Sequence, residues 1–238
     1  MTTCGQSICS KGASGVSDFD PYLMPDANLL DNCFGEKNPY FLQEHETFFS
    51  GLRIRELIDA PLTGKFDYDH LLRIHAYIFQ DLYPGWAGTT RTIPMAKKER
   101  LLQGKSVQYA HPGKQGSRIE SAARVLFNKL EKDSYLLDLD RRAFCEGLAV
   151  FLSKLWQLHP FREGNTRTIM VMCYHIARQA GYQISLKFVD NMHKNLRDSL
   201  VISTLGDLQK LEDFLFVAIG KDDRNKGLCR KILARLQS

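Results

Sequence analysis

No window of this chain approaches the roughly 18 unbroken apolar residues that a membrane span requires. The first residues also lack the basic-then-apolar order of an export signal, so the chain is expected in the cytoplasm, with no membrane partner. That expectation leaves later export into another cell open. Cysteine supplies no framework either. Cys4, Cys9, Cys33, Cys145, Cys173 and Cys229 are scattered, without a C-x-x-C pair or a Cys/His spacing, which argues against a zinc site and a disulfide scaffold. Cys145 and Cys173 fall inside helical patterns and read as small buried hydrophobes. There is no internal repeat. Excess charge is absent from most of the chain: the net charge is +5, and the segment from Lys221 to Ser238 alone carries six basic and two acidic residues. The positive excess is therefore a property of the tail rather than a nucleic-acid-binding face, and no nucleic acid partner is expected.

What remains is ordinary globular material, 44% hydrophobic and 25% charged over 238 residues, enough for one well-filled core with appendages. Residues 1–35 are rich in Gly, Ser, Asp, Pro and Asn without a sustained period. They read as an extended or partly disordered arm, with Asp20-Pro21-Tyr22-Leu23 as a tether to the core. Residues 36–220 form the main domain, and 221–238 a basic C-terminal helix with Leu228, Ile232, Leu233 and Leu236 turned inward.

Within the main domain the pattern is helical. A first run from Pro39 to Pro61 has Phe41, Phe48, Phe49, Leu52, Leu57 and Ile58 as its apolar positions. Asp67 is a good N-cap for a second helix whose core face holds Leu71, Leu72, Ile74, Ile78 and Phe79; His70 and His75 on it read as packed histidines. Further helices are expected over 117–130, 141–158, 168–180, 190–203 and 207–219. The segment Ser106-Val107-Gln108-Tyr109-Ala110 differs in kind, alternating polar with apolar between Gly104 and Pro112. It predicts a short strand or hairpin, which needs a use because an isolated hairpin is marginal in water.

Between the two most apolar helices lies Leu158-His159-Pro160-Phe161-Arg162-Glu163-Gly164-Asn165-Thr166-Arg167. A Gly-Asn break suits a loop that ends as a helix begins, and the free N–H groups of a helix N-terminus make an anion site. A histidine just ahead of it can act as a general base. The arrangement points to phosphate chemistry.

At these residues the chain resembles the Fic domains, whose signature is His-Pro-Phe-x-Glu-Gly-Asn-x-Arg. A second block, Leu82-Tyr83-Pro84-Gly85-Trp86-Ala87-Gly88 followed by Arg91-Thr92, is similar to the family's Tyr-Pro-Trp-Ala-Gly…Arg-Thr segment, with Gly85 extra. The resemblance covers about residues 38–220. It implies an all-α fold, a Fic-type helical bundle with a short β-hairpin flap beside the active-site loop. It also implies transfer of AMP from ATP to a Ser, Thr or Tyr hydroxyl of a target protein.

In that scheme His159 is the general base and Glu163 holds Mg²⁺. Gly164, Asn165, Thr166 and Arg167 bind the nucleotide phosphates, and Ser106, Val107, Gln108, Tyr109 and Ala110 belong to the flap that pairs with the target. Two positions depart from the pattern. Thr166 stands where Gly is common, and Met170 stands where the family carries a second Arg that grips the terminal phosphate of ATP. The donor thus stays open between ATP, UTP, GTP and a CDP-alcohol, and a non-catalytic nucleotide- and protein-binding module is the rival reading. The family's inhibitory Ser/Thr-x-x-x-Glu helix has no intact copy, since Ser117 precedes Glu120 and Ser203 precedes Asp207. A separate antitoxin-like partner is compatible with that absence.

Overall fold

The computed structural model describes residues 20–220, and among them it places eight helices and one hairpin. The helices are α1 (Pro39–Asp59), α2 (Tyr68–Phe79), α3 (Ser117–Lys132), α4 (Arg141–Leu158), α5 (Asn165–Gln179), α6 (Leu186–Asn191), α7 (His193–Ser203) and α8 (Gln209–Ala218). The hairpin joins β1 (Ala96–Lys98) to β2 (Ser106–Gln108), antiparallel, with Lys97 opposite Val107. Among the described residues no helix is long and apolar enough to cross a membrane. Residues 1–19 and 221–238, including the expected basic helix of Leu228, Ile232, Leu233 and Leu236, lie outside the described residues.

Caps fix where the helices start. The side chain of Asn38 accepts from the amide of Tyr40, with Pro39 in the first turn of α1; Asp67 does the same for His70 and Asp140 for Ala143. α4 and α5 form the centre. Phe144, Leu148, Leu152, Leu155 and Trp156 from α4, and Ile169, Met172, Cys173 and Ile176 from α5, are buried. α4 packs on α3, α5 and α8, while α5 packs on α1 and α2, so the turn between them is held from several sides. The expected all-α bundle is what is found.

Three expectations are corrected. On α1, Phe41, Phe48 and Leu52 are exposed, while Leu42, Ser50, Leu57 and Ile58 face inward. At about 100° per residue the two sets lie on opposite sides of the helix, and among the described helices α1 packs mainly on α2 and α5, at the edge of the bundle. The single helix expected over 190–203 divides at Met192 into α6 and α7. The helix expected from Thr168 begins a turn earlier, at Asn165.

In the arm, the described residues 20–35 pack against the body. The amide of Met24 donates to the carbonyl of Leu29 at 2.9 Å, and Tyr22 and Met24 are buried. The ring of Tyr22 meets that of Trp86 edge-on at 5.6 Å, and Trp86 in turn stacks on Tyr83 at 4.4 Å.

Candidate active site

The turn from α4 to α5 is set by two left-handed residues. His159 ends α4 at φ 48°, and Gly164 opens α5 at φ 76°. Glycine is needed at the second: a Cβ there would lie 2.1 Å from Cζ of Phe79. Between them Phe161 is fully buried with its ring flat on His75, centroids 3.8 Å apart. Asn165 closes the turn. Its Oδ1 accepts from the amide of Phe161 at 2.8 Å, and its Nδ2 donates to the same residue's carbonyl at 2.7 Å. The expected phosphate donor is thus also the clasp of the loop. Thr166 is fixed too, its hydroxyl accepting from Nε1 of Trp156 at 3.0 Å.

Arg91 was not singled out from the sequence beyond its place in the second block, yet it braces the turn from below. It is fully buried, and its Nε donates to the carbonyl of His159 at 2.6 Å. Its other nitrogens donate to the carbonyls of Ile93, Ala110 and Leu158, and its amide to that of Pro160 at 2.8 Å. Burial lowers its pKa to about 10, so it stays charged at neutral pH. One guanidinium thereby ties the flap's exit to both sides of the base.

The imidazole of His159 is buried. Nδ1 lies 3.3 Å from the carbonyl of Trp156, an oxygen that can only accept, so the proton sits on Nδ1 and Nε2 keeps its lone pair. Burial first, then the charge of Lys97, hold the ring's pKa well below 6.5; the Trp156 bond opposes this and Arg91 and Arg197 add to it. A neutral imidazole with a free Nε2 is a base in its working form. Tyr109, at the exit of β2, covers one face of the ring at 3.7 Å.

Glu163 is half-buried. Burial alone would raise its pKa, but Lys97, the amide of Gly164 (2.8 Å to Oε1) and Arg167 together bring it below the usual carboxylate value. It is ionised at neutral pH. The amides of Asn165, Thr166 and Arg167 begin α5 and have no intrahelical acceptor, so they face the turn as anion donors. The guanidinium of Arg167 is held from α1: it donates to Ser50 Oγ at 2.9 Å and to the carboxylate of Glu46, and it lies over the ring of Phe79. Its distance to Glu163 is 3.7 Å. Arg162 is taken by Asp20 at 2.7 Å, which fastens the arm to the signature.

Of the sequence-predicted residues, His159, Glu163, Gly164, Asn165, Thr166 and Arg167 therefore gather in one turn. From the flap set, Val107 and Tyr109 face inward, and Gln108 is exposed. The strand proper stops at Gln108. Ala110 instead donates its amide to the carbonyl of Gln157 at 3.2 Å. Glu46 and Lys97 are neighbours of the site that the sequence did not announce, while His75 read only as a packed histidine and Arg91 only as part of the second block.

A metal fits this donor set in one way only. Among the described residues no group of three or more His, Cys, Asp or Glu side chains comes together as a cage. A single ionised carboxylate beside an anion cradle suits Mg²⁺, which takes few protein ligands and completes its shell with phosphate oxygens and water.

The base, the carboxylate and the row of amides at one turn are an arrangement with which chemistry on a phosphate can be done. Comparison with known proteins gives it a family. A profile described as the Fic/DOC family matches residues 65–177. The protein adenylyltransferase VbhT of Bartonella schoenbuchensis is 35% identical over 69% of this chain, which spans 32% of that relative's length. The "probable protein adenylyltransferase y4lH" of Sinorhizobium fredii is 32% identical over 81% of this chain and 92% of its own length. The N-terminal Fic domain of a VirB-translocated Bep effector of Bartonella quintana, solved with bound ADP, superposes with a TM-score of 0.74 at 25% identity, over 87% of this chain and 96% of that one. The chain belongs to the Fic/DOC family.

Proposed function

We propose that this protein is a Mg²⁺-dependent protein adenylyltransferase: it moves AMP from ATP to a Ser, Thr or Tyr hydroxyl of a target protein and releases pyrophosphate. The relatives named protein adenylyltransferases and the ADP-bound Fic domain support the reading. The observation that carries it is the state of His159, neutral, with Nδ1–H given to the carbonyl of Trp156 and Nε2 left as a base.

In the reaction, the target's hydroxyl oxygen attacks the α-phosphorus of ATP and the bond to the pyrophosphate oxygen breaks. The hydroxyl proton passes to Nε2 of His159, a transfer that typically contributes ~10²–10⁴-fold. The amides of Asn165, Thr166 and Arg167 and the Arg167 side chain hold the phosphates and meet the charge that grows on the leaving pyrophosphate, the amide of Gly164 being given to Glu163. Positioning and electrostatics of that sort are most of the catalysis in phosphoryl transfer. Glu163 would hold Mg²⁺, which when bound supplies charge neutralisation to the phosphate oxygens. The hairpin of β1 and β2 offers a strand edge on which an extended stretch of target can add, giving affinity through the main chain.

The reaction takes place in a cytoplasm, that of the producing cell or of a recipient. The Bep relative, described as VirB-translocated, supports including the second.

One observation favours a second donor. Met170 packs against the core and brings no charge to a terminal phosphate, which suits a donor without one, such as a CDP-alcohol. Labelled ATP, UTP, GTP and CDP-choline supplied with a lysate separate the donors. ATP label should reach protein with wild type and not with His159→Ala; equal labelling with both, or with neither, contradicts the proposal.

A further inference from the structure

Directly opposed residues of an antiparallel pair share a face, and residues two apart along a strand share it too. Lys97 is paired with Val107, which is buried. Tyr109, two residues on, lies on the same side and stacks on the imidazole of His159 at 3.7 Å. Met95, two residues before Lys97, accepts the amide of Tyr109 at 3.3 Å and packs on the core. The inner face of the flap is therefore Met95, Lys97, Val107 and Tyr109, while Ala96, Lys98 and Gln108 are exposed on the other. Lys97 is the charged member of a face that closes over the base.

The arginines around the turn are already engaged. Arg162 is bonded to Asp20, Arg167 to Glu46 and Ser50, Arg197 to Glu99 at 2.5 Å, and Arg91 to main-chain carbonyls. Among the described residues Lys97 is in no ion pair within 4.0 Å, although its charge acts on the carboxylate of Glu163. Its place on the inner face of the flap, beside the Tyr109 ring that covers His159, agrees with its charge being the largest of those acting on His159 and on Glu163. Glu163 is also held by the amide of Gly164, which leaves Lys97 free to serve a second anion.

We propose that the ammonium of Lys97 binds a phosphate oxygen of the nucleotide between His159 and Glu163, so that the flap supplies the cationic contact which Met170 on α5 does not. The proposal rests on the adenylyltransferase reading and deepens it: the flap would hold the donor as well as the target. It makes Lys97, on the flap, a phosphate-binding residue in addition to Arg167 on α5.

Equilibrium binding tests it without turnover. Mg·ATP and adenosine are titrated into His159→Ala, alone and combined with Lys97→Met or Lys97→Arg, with thermal melting to confirm folding. Loss of a charged hydrogen bond predicts that Lys97→Met weakens Mg·ATP by about ten- to a hundredfold. Adenosine affinity should be unchanged, and Lys97→Arg should bind Mg·ATP within about threefold of the parent. In the active protein Lys97→Met should raise KM for ATP and leave KM for the target alone. Unchanged ATP affinity, an equal loss for adenosine, or a rise confined to the target's KM would overturn the proposal. Those outcomes leave the adenylyltransferase reading standing, provided wild type binds ATP and labels protein. A wild type that does neither sinks both.

Discussion

His75 on α2 and Glu163 in the turn before α5 are joined by one proton whose place is fixed. The amide of Gly88 donates to Nδ1 of His75 at 2.8 Å, so the ring's hydrogen is on Nε2, where it meets the carbonyl of Glu163 at 3.1 Å. The same ring lies flat on Phe161. α2 thus holds the signature loop by a face and an edge at once. His75→Phe keeps the face and deletes both hydrogen bonds, leaving a partly buried amide and carbonyl unpaired. It should cost about 1–3 kcal/mol in urea unfolding and lower kcat for adenylyl transfer more than it raises KM for ATP. A variant as stable and active as wild type would remove His75 from the account.

Acid should unfold this protein through its histidines. Burial is the first cause in each case, lowering His70 and His75 to about 3 and His175 to about 4. In the unfolded chain these rings take up protons near pH 6.5, while in the native state they do not until far lower. The unfolded state binds more protons over that window, so stability falls as pH falls from about 6.5 towards 4. Each such histidine contributes a slope of about 1.4 kcal/mol per pH unit. Urea midpoints measured between pH 7 and 4.5 should drop steeply; a flat profile would contradict the burial of these rings.

Gly164 should tolerate no side chain. Alanine would combine a left-handed φ with a Cβ 2.1 Å from the ring of Phe79. Strain of about 1 kcal/mol and overpacking of about 1–3 kcal/mol predict a clear fall in melting temperature together with loss of transfer. Gly85 and Gly104, with nothing within 4 Å of a built Cβ, are controls for crowding. Gly85→Ala, free of the positive φ of Gly104, should melt close to wild type.

Glu46 sets how available Arg167 is. Its carboxylate receives both the Arg167 guanidinium and the hydroxyl of Tyr83, at 2.7 Å in the second case. A phosphate must share that guanidinium with a carboxylate. Glu46→Gln keeps an acceptor for Tyr83 and removes the competing charge. Calorimetry should show Mg·ATP binding several-fold tighter; weaker binding would mean that Glu46 orients Arg167 rather than competing for it.

How much of this was legible depends on the distance over which each residue acts. α4 could be read to the residue because its apolar positions recur at helical spacing and the signature ends it. The base, carboxylate and anion cradle are contiguous, so a linear motif holds them. Arg91 acts on carbonyls 67 and 68 residues away, and Glu46 meets Arg167 across 121, separations at which a sequence carries no visible pattern. The first flap strand was missed because Ala96–Lys98 is three residues long and mostly charged. On α1 the aromatic residues Phe41 and Phe48 were read as core, yet the helix lies at an edge and turns its smaller residues inward.

A crystal grown with Mg²⁺ and a non-hydrolysable ATP analogue tests the central claim most directly. The α-phosphate should lie within hydrogen-bonding distance of the amides that open α5, with Nε2 of His159 facing it across the space a hydroxyl would occupy. Nucleotide bound elsewhere with this turn empty, or an imidazole turned away from the phosphate, would contradict the account.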